Sequence, residues 1–157
     1  MNIYVASSWT NPHHNRIVGL LRAAGHRVFD YRNPSEGDNG FRWDQVGLNM
    51  GKRTDSVGFE EFLKALGHPR ANTSFHKDAG GVVACDLLVL LLPSGNSAHL
   101  EAGVACGMGK KVIVFVNDGE DIRPDLMYSW CEVVKGDINL LAAINGTVHA
   151  YKTRDFR

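Results

Sequence analysis

The sequence predicts an α/β protein, a doubly wound parallel sheet of five strands in a three-layer sandwich. Three observations lead there. Leu87 to Leu92 is an unbroken apolar run bounded by Asp86 and Pro93, the signature of a central strand buried on both faces. Helical segments fall between successive strand segments, which calls for parallel pairing through right-handed crossovers. The chain has 157 residues and is 44% hydrophobic, and a chain of this size buries roughly 68–70% of its unfolded surface. One domain, residues 1–157, is therefore expected.

Each element has its own local reason. Asn2 to Ala6 is a short apolar strand, and Asn11-Pro12 then offers an N-cap and a proline suited to the first helical position. That helix runs to about Ala24, Gly25 ends it, and His26 to Tyr31 is the second strand. From Arg32 to Asp55 no periodicity persists, and a loop longer than ~12–15 residues in a compact domain is commonly a lid or a binding loop. Ser56 to Leu66 is amphipathic and helical, stopped by Gly67-His68-Pro69, and Ala71 to Ala84 is a second helix despite Gly80-Gly81. Asp86 to Leu92 is the third strand, Ala98 to Met108 a Gly/Ala-rich helix, and Lys111 to Val116 the fourth strand. Pro124 to Trp130 is a short helix, Glu132 to Val134 a brief fifth strand, and Asp137 to Ile144 the last helix. Gly103 to Gly109 are expected to let their helix pack close to the sheet.

Composition excludes several function classes. Lysine plus arginine balances aspartate plus glutamate at 17 each, so no global field draws the protein to nucleic acid or an anionic membrane. No stretch approaches the ~20 apolar residues that span a bilayer, and the amino terminus has no leader pattern, so a cytoplasmic protein is expected. Cys85, Cys106 and Cys131 are odd in number and sit among apolar neighbours, as reduced, packed thiols do. The seven histidines lack metal-ligand spacing, and neither metal nor cofactor is expected. No Ser-His-Asp arrangement can be argued from the spacing of Ser97 and His99.

Polar residues gather where strands end. Ser7 and Trp9 follow the first strand, Asp30 and Tyr31 close the second, Ser94 to Ser97 follow the third, and Asn117 and Asp118 the fourth. Ligands of open α/β sheets bind outside these carboxyl ends. A flavodoxin-like strand order, 2-1-3-4-5, turns Ser7 and Ser94 to Ser97 toward one crevice. Glu101 lies about one turn into the helix that follows, where unpaired N–H groups and the helix dipole favour an anion.

These residues resemble the nucleoside 2-deoxyribosyltransferases and their N-glycosidase relatives. The resemblance covers most of the chain. It is carried by Tyr4-Val5-Ala6-Ser7, Asp78, Ser97 to Gly103 and Gly109-Lys110-Lys111-Val112-Ile113. The segments Phe29 to Pro34, Gly40 to Trp43, Pro93 to Glu101 and Asp125 to Tyr128 are similar to a bacterial and phage branch described only as deoxyribosyltransferase-like. The resemblance implies that Glu101 attacks the anomeric carbon and forms a covalent glycosyl-enzyme, while Asp78 assists proton transfer to the base. It also implies a sugar-contacting role for Asp125 and a homodimer or higher oligomer in which Met127 reaches a neighbouring subunit's pocket. Where such transferases commonly place an aspartate ahead of the nucleophile, this chain has Gly95. An uncharged Ser94-Gly95-Asn96-Ser97 loop at a helix start suits an anion, which favours a 5′-monophosphate.

Several readings stay open at this level. Transfer of the sugar to another base is the first expectation. The alternatives are a nucleoside 5′-monophosphate hydrolase, an NAD-type glycohydrolase, and a non-catalytic nucleotide sensor. Ser94 and Ser97 also serve as turn and N-cap residues. Trp9, Phe41 and Trp43 stack a nucleobase or cover the core edge. Tyr31 and Arg32 touch substrate, or Arg32 pairs with Asp30. His99 orients substrate or points outward from its helix.

Overall fold

Alternation of side chains across each strand sets the architecture. In the computed structural model, which describes residues 1–48 and 56–146, the elements run β1 (Asn2–Ala6), α1 (His14–Ala23), β2 (Arg27–Phe29), α2 (Phe59–Leu66), α3 (Pro69–Ala84), β3 (Leu87–Leu91), α4 (Asn96–Gly107), β4 (Lys111–Val116), β5 (Glu132–Lys135) and α5 (Asp137–Ile144). Short 3₁₀ turns cover Trp43–Val46 and Leu126–Trp130. The expectations for 49–55 and for the tail from 147 lie outside the described residues. The chain forms two units, one of residues 1–30 with 81–157 and one of residues 31–80.

The first unit carries the sheet. Its five strands are all parallel in the order β2-β1-β3-β4-β5, the flavodoxin-like order expected. Ala6 pairs with Leu90 and Leu91 with Phe115, so the loops after β1, β3 and β4 leave one edge. Ile3, Val5, Val89, Leu91, Ile113 and Phe115 pack beneath Ile17, Val18 and Leu21 of α1 and Leu140, Ala143 and Ile144 of α5. Tyr4, Ala6, Leu88, Leu90, Val112 and Val114 face Val82 and the alanines of α4, Ala98, Ala102 and Ala105. All of β3 is buried, as a strand covered on both faces requires.

Small residues matter here, though not the ones expected. A side chain at Gly103 or Gly107 would meet nothing within 4 Å; alanines, not these glycines, bring α4 close to the sheet. Gly81 is the constrained position. A methyl group there would lie 3.0 Å from the rings of Phe29 and Tyr4, which stack at 5.2 Å. The far side of α4 leaves Leu100, Val104 and Met108 exposed. Two helix starts also differ from expectation. α1 begins at His14 because Asn11 Oδ1 accepts from the His13 N–H at 2.8 Å and holds Pro12 and His13 in a turn. α4 begins at Asn96, with extended Gly95 as its N-cap and no side-chain cap, so Ser97 lies inside the first turn and caps nothing.

In the second unit the long segment after Tyr31 is organised by Asp38. Its carboxylate accepts from Lys77 at 2.5 Å and from Arg70 at 3.3 Å, and also from the Gly40 backbone N–H. Arg70 and Lys77 belong to α3, so this aspartate pins the loop to a helix. Trp43 packs edge-on against Phe41 at 5.1 Å and reaches Phe62 of α2.

Candidate active site

At the sheet edge of the first unit, α4 presents Glu101 to β1. Tyr4 is fully buried, and its hydroxyl donates to Glu101 Oε1 at 3.0 Å. A buried phenol needs a polar partner, and a half-buried carboxylate in the opening turns of a helix supplies one. Residue typing alone did not give Tyr4 a role. The available signal was a polar-tipped ring inside the apolar strand Ile3-Tyr4-Val5-Ala6.

Two side chains set the loop before α4. Asn11 is buried, and its amide donates to Pro93 O at 3.0 Å and, at 3.4 Å, to Leu91 O. The loop after β1 is thereby fastened to the loop after β3, where the Leu92-Pro93 peptide is cis. His99 does not point outward. Its Nδ1 lies 2.9 Å from Gly95 O, which only accepts, so Nδ1 carries a proton and Nε2 accepts from the Tyr128 hydroxyl at 2.9 Å. Ser94 Oγ stands 3.4 Å from the same Nδ1. The two rings stack at 5.9 Å, and burial together with the Asp125 charge pushes the Tyr128 hydroxyl up, keeping it a donor.

The remaining candidates of this unit occupy its edge. Ser94 and Gly95 are half-buried, and Asn96 and Ser97 are exposed. Asp125 accepts from the Met127 N–H at 2.9 Å and starts the 3₁₀ turn, leaving Met127 half exposed. Trp9 is 41% exposed, which removes it from the core. Ser7 Oγ lies 2.7 Å from His14 Nδ1, and His14 Nε2 lies 2.8 Å from Asp30 Oδ1. Asp30 is thus engaged by a histidine. Cys106 and Cys131 are free thiols with sulfurs 3.8 Å apart.

The second unit brings together Tyr31, Phe41 and Asp78. They line a shallow surface crevice with Asp38, Ser74 and Lys77, and Trp43 packs against Phe41. Burial, reinforced by the Asp38 charge, pushes the Asp78 carboxyl up to about 6, against the opposing pull of Lys77. The hydrogen bond from Lys77 holds Asp38 below the usual carboxylate range. Two acids beside one crevice are therefore shifted in opposite directions, Asp78 toward keeping its proton and Asp38 toward staying charged. Among the described residues no group of three histidines, cysteines or acids is arranged to hold a metal ion. No described helix is long and apolar enough to cross a membrane.

Solved structures share this fold. The chain is similar to a 2-deoxyribosyltransferase from Bacillus psychrosaccharolyticus, with 22% identity, 90% of each chain covered and a TM-score of 0.57. It is similar to a conserved protein from Enterococcus faecalis, with 15% identity, 94% of this chain and 99% of that one covered and a TM-score of 0.50. A CMP N-glycosidase from Clostridium botulinum matches at 14% identity over 86% of this chain and 87% of that one, with a TM-score of 0.48. No family model matches the chain, and no curated protein matches it in sequence.

Proposed function

We propose that this chain, folded like a 2-deoxyribosyltransferase, cleaves the N-glycosidic bond of a nucleoside or nucleotide through Glu101 and transfers the sugar to a second base. The observation that carries this reading is the Tyr4 hydroxyl held on the Glu101 carboxylate at the sheet edge where α/β proteins bind ligands. One Glu101 oxygen attacks the anomeric carbon as the bond to the base breaks. The transition state is oxocarbenium-like, and an adjacent carboxylate stabilises its positive charge. The departing base takes a proton from Asp78, whose raised affinity for protons suits a general acid. The acceptor base then attacks the glycosyl ester, releases Glu101 and returns a proton to Asp78.

The binding roles of this reading are those the resemblance and the residue types imply. Ser7, Ser94, Gly95, Asn96, Ser97 and Asp125 meet sugar or phosphate, and Trp9, Tyr31, Phe41 and Trp43 meet the base. His99 acts by fixing the loop, since both its nitrogens are engaged. The exposed stripe of Leu100, Val104 and Met108, with half-exposed Met127, supports a homo-oligomer. The hydrolase reading rests on the uncharged serine loop at the start of α4, which suits a 5′-phosphate.

Chromatography of the protein and its Glu101→Ala variant separates these readings. Pools of deoxynucleosides, deoxynucleoside monophosphates, ribonucleotides and NAD are each tested with and without a free base. A swapped nucleoside that requires both the added base and Glu101 supports transfer. Free base released from a monophosphate in water replaces transfer by hydrolysis, and release of nicotinamide from NAD replaces it by glycohydrolysis. Binding without turnover in any pool overturns the enzyme reading in favour of a sensor.

A further inference from the structure

Cys85, Cys106 and Cys131 lie in the sheet unit, and the proposed reaction uses none of their thiols. Their surroundings differ. Cys85 is buried, and its thiol donates to Val82 O at 3.2 Å at the end of α3, the packed state the sequence leads one to expect. Cys106 and Cys131 face each other instead, with sulfurs 3.8 Å apart although 25 positions separate them. Cys106 is half-buried on α4. Cys131 is 9% exposed, ends the 3₁₀ turn Leu126–Trp130 and donates its backbone N–H to Tyr128 O at 2.9 Å. His99 precedes Cys106 on α4 by about two helical turns, so the two share a face of the helix. His99 meets Tyr128, and Cys106 meets Cys131. One flank of α4 is thus held to the turn twice, by a hydrogen bond at one point and by sulfur contact at the other.

We propose that Cys106 and Cys131 are a modification site: a dithiol pair that exchanges with small disulfides and closes a reversible bond fastening the 3₁₀ turn to α4. A disulfide bond is about 2.05 Å long, so from 3.8 Å the sulfurs close by about 1.8 Å. The turn yields that distance. None of its residues is buried, and the hydrogen bonds of a 3₁₀ turn have the poorer geometry. Access gives the order of steps. Burial pushes the Cys131 thiol up, with neighbouring Cys106 and the Asp125 charge adding to it, so Cys106 is the entering nucleophile. The Cys106 thiolate attacks one sulfur of a small disulfide and forms a mixed disulfide, and the small thiolate released takes up the proton that Cys106 lost. Cys131 then gives up its proton, its sulfur attacks Cys106 Sγ, and the second small thiolate leaves and takes that proton. Two electrons pass from the cysteine pair to the reagent, which departs as two thiols. Excess small thiol runs the exchange backward. Asp125 and Met127 sit at this turn, so the bond links the redox state of the surroundings to how freely this edge of the molecule opens. The assignment stands apart from the glycosidic reading, because it needs no substrate.

The test treats the native protein with glutathione disulfide, alkylates the remaining thiols in denaturant, and reads intact mass and non-reduced peptide maps. Wild type is expected to lose two hydrogens, to give one fragment pair joined through Cys106 and Cys131, and to leave Cys85 alkylated. Dithiothreitol should restore the reduced mass. Cys131→Ala should stop at the mixed disulfide, with one glutathionyl group on Cys106, and Cys106→Ala should take up none. A cross-link spanning 25 positions should raise the thermal midpoint by roughly 5–10 °C and slow amide hydrogen exchange over 126–131. The wild-type reaction needs no variant, so a Cys131→Ala chain that fails to fold leaves the answer intact. A wild type that stays reduced, stops at the glutathionyl adduct, or links through Cys85 or to a second molecule overturns the assignment. So does an oxidised form that melts below the reduced one.

Discussion

At the residue scale the proposed reaction places its weight on two acids with different surroundings. Tyr4→Phe removes a hydrogen bond to a carboxylate, a contact worth about 1.5–3 kcal/mol. Turnover is expected to fall roughly 10- to 100-fold on that basis, with an unchanged circular dichroism spectrum. In the proposed reaction Asp78 donates a proton, so kcat/KM should fall as pH rises through about 6. Asp78→Asn should abolish that limb and lower the rate by about 10²–10⁴. Asp38→Asn removes a like charge and should move the limb to lower pH; a pH–rate profile of each variant checks this. Stability follows the same sign. The Asp78 carboxyl holds its proton more tightly folded than unfolded, so its contribution is full below the ordinary value of 3.8 and is lost as pH rises toward about 6. Denaturant midpoints across that range should fall in wild type and flatten in Asp78→Asn. The acids were legible in the sequence, since a glutamate after an apolar strand and an aspartate in a helix are visible as residue types. Their environments were not, because Asp38 stands 40 residues before Asp78 and its effect depends on α3 folding back to it.

At the element scale, helices are anchored by side chains that bridge loops. Continuous apolar runs made β1, β3 and β4 readable, and α5 was found with its observed limits, because apolar patterning is local information. Starts of α1 and α4 were misread by two residues, since Asn11 serves a turn and extended Gly95 begins its helix without help from Ser97. Local sequence offers both options equally. Gly81 is the sharper case. It read as a helix weakener, whereas it admits the stacked rings of Phe29 and Tyr4. Gly81→Ala improves helix propensity by about 1 kcal/mol at most, yet it overpacks a rigid stack, which costs about 1–3 kcal/mol. A net loss in thermal midpoint is the expected outcome, measured by calorimetry beside Gly103→Ala, which meets open space and should not destabilise.

At the scale of the whole molecule, α4 joins chemistry to surface. Its alanines face the sheet, Glu101 faces Tyr4, and Leu100, Val104 and Met108 face outward. Contiguous apolar exposure on a folded chain marks a contact surface. In the proposed oligomer, Leu100→Glu with Val104→Glu should leave a monomer in light scattering after gel filtration, and a wild type that is already monomeric at micromolar concentration sinks this prediction. The sequence by itself determined the parallel five-stranded class, the strand order, and the edge on which polar residues collect. Those follow from periodicity and connection rules, which act over neighbouring residues. Only the tertiary structure decided which polar groups meet. Tyr4 and Glu101 are 97 positions apart, Ser7, His14 and Asp30 come from three different segments, and His99 finds Tyr128 across 29 positions. Hydrogen-bond partners are chosen by distances of about 3 Å in the packed molecule, and packing a long chain assigns those distances without leaving any period in its sequence.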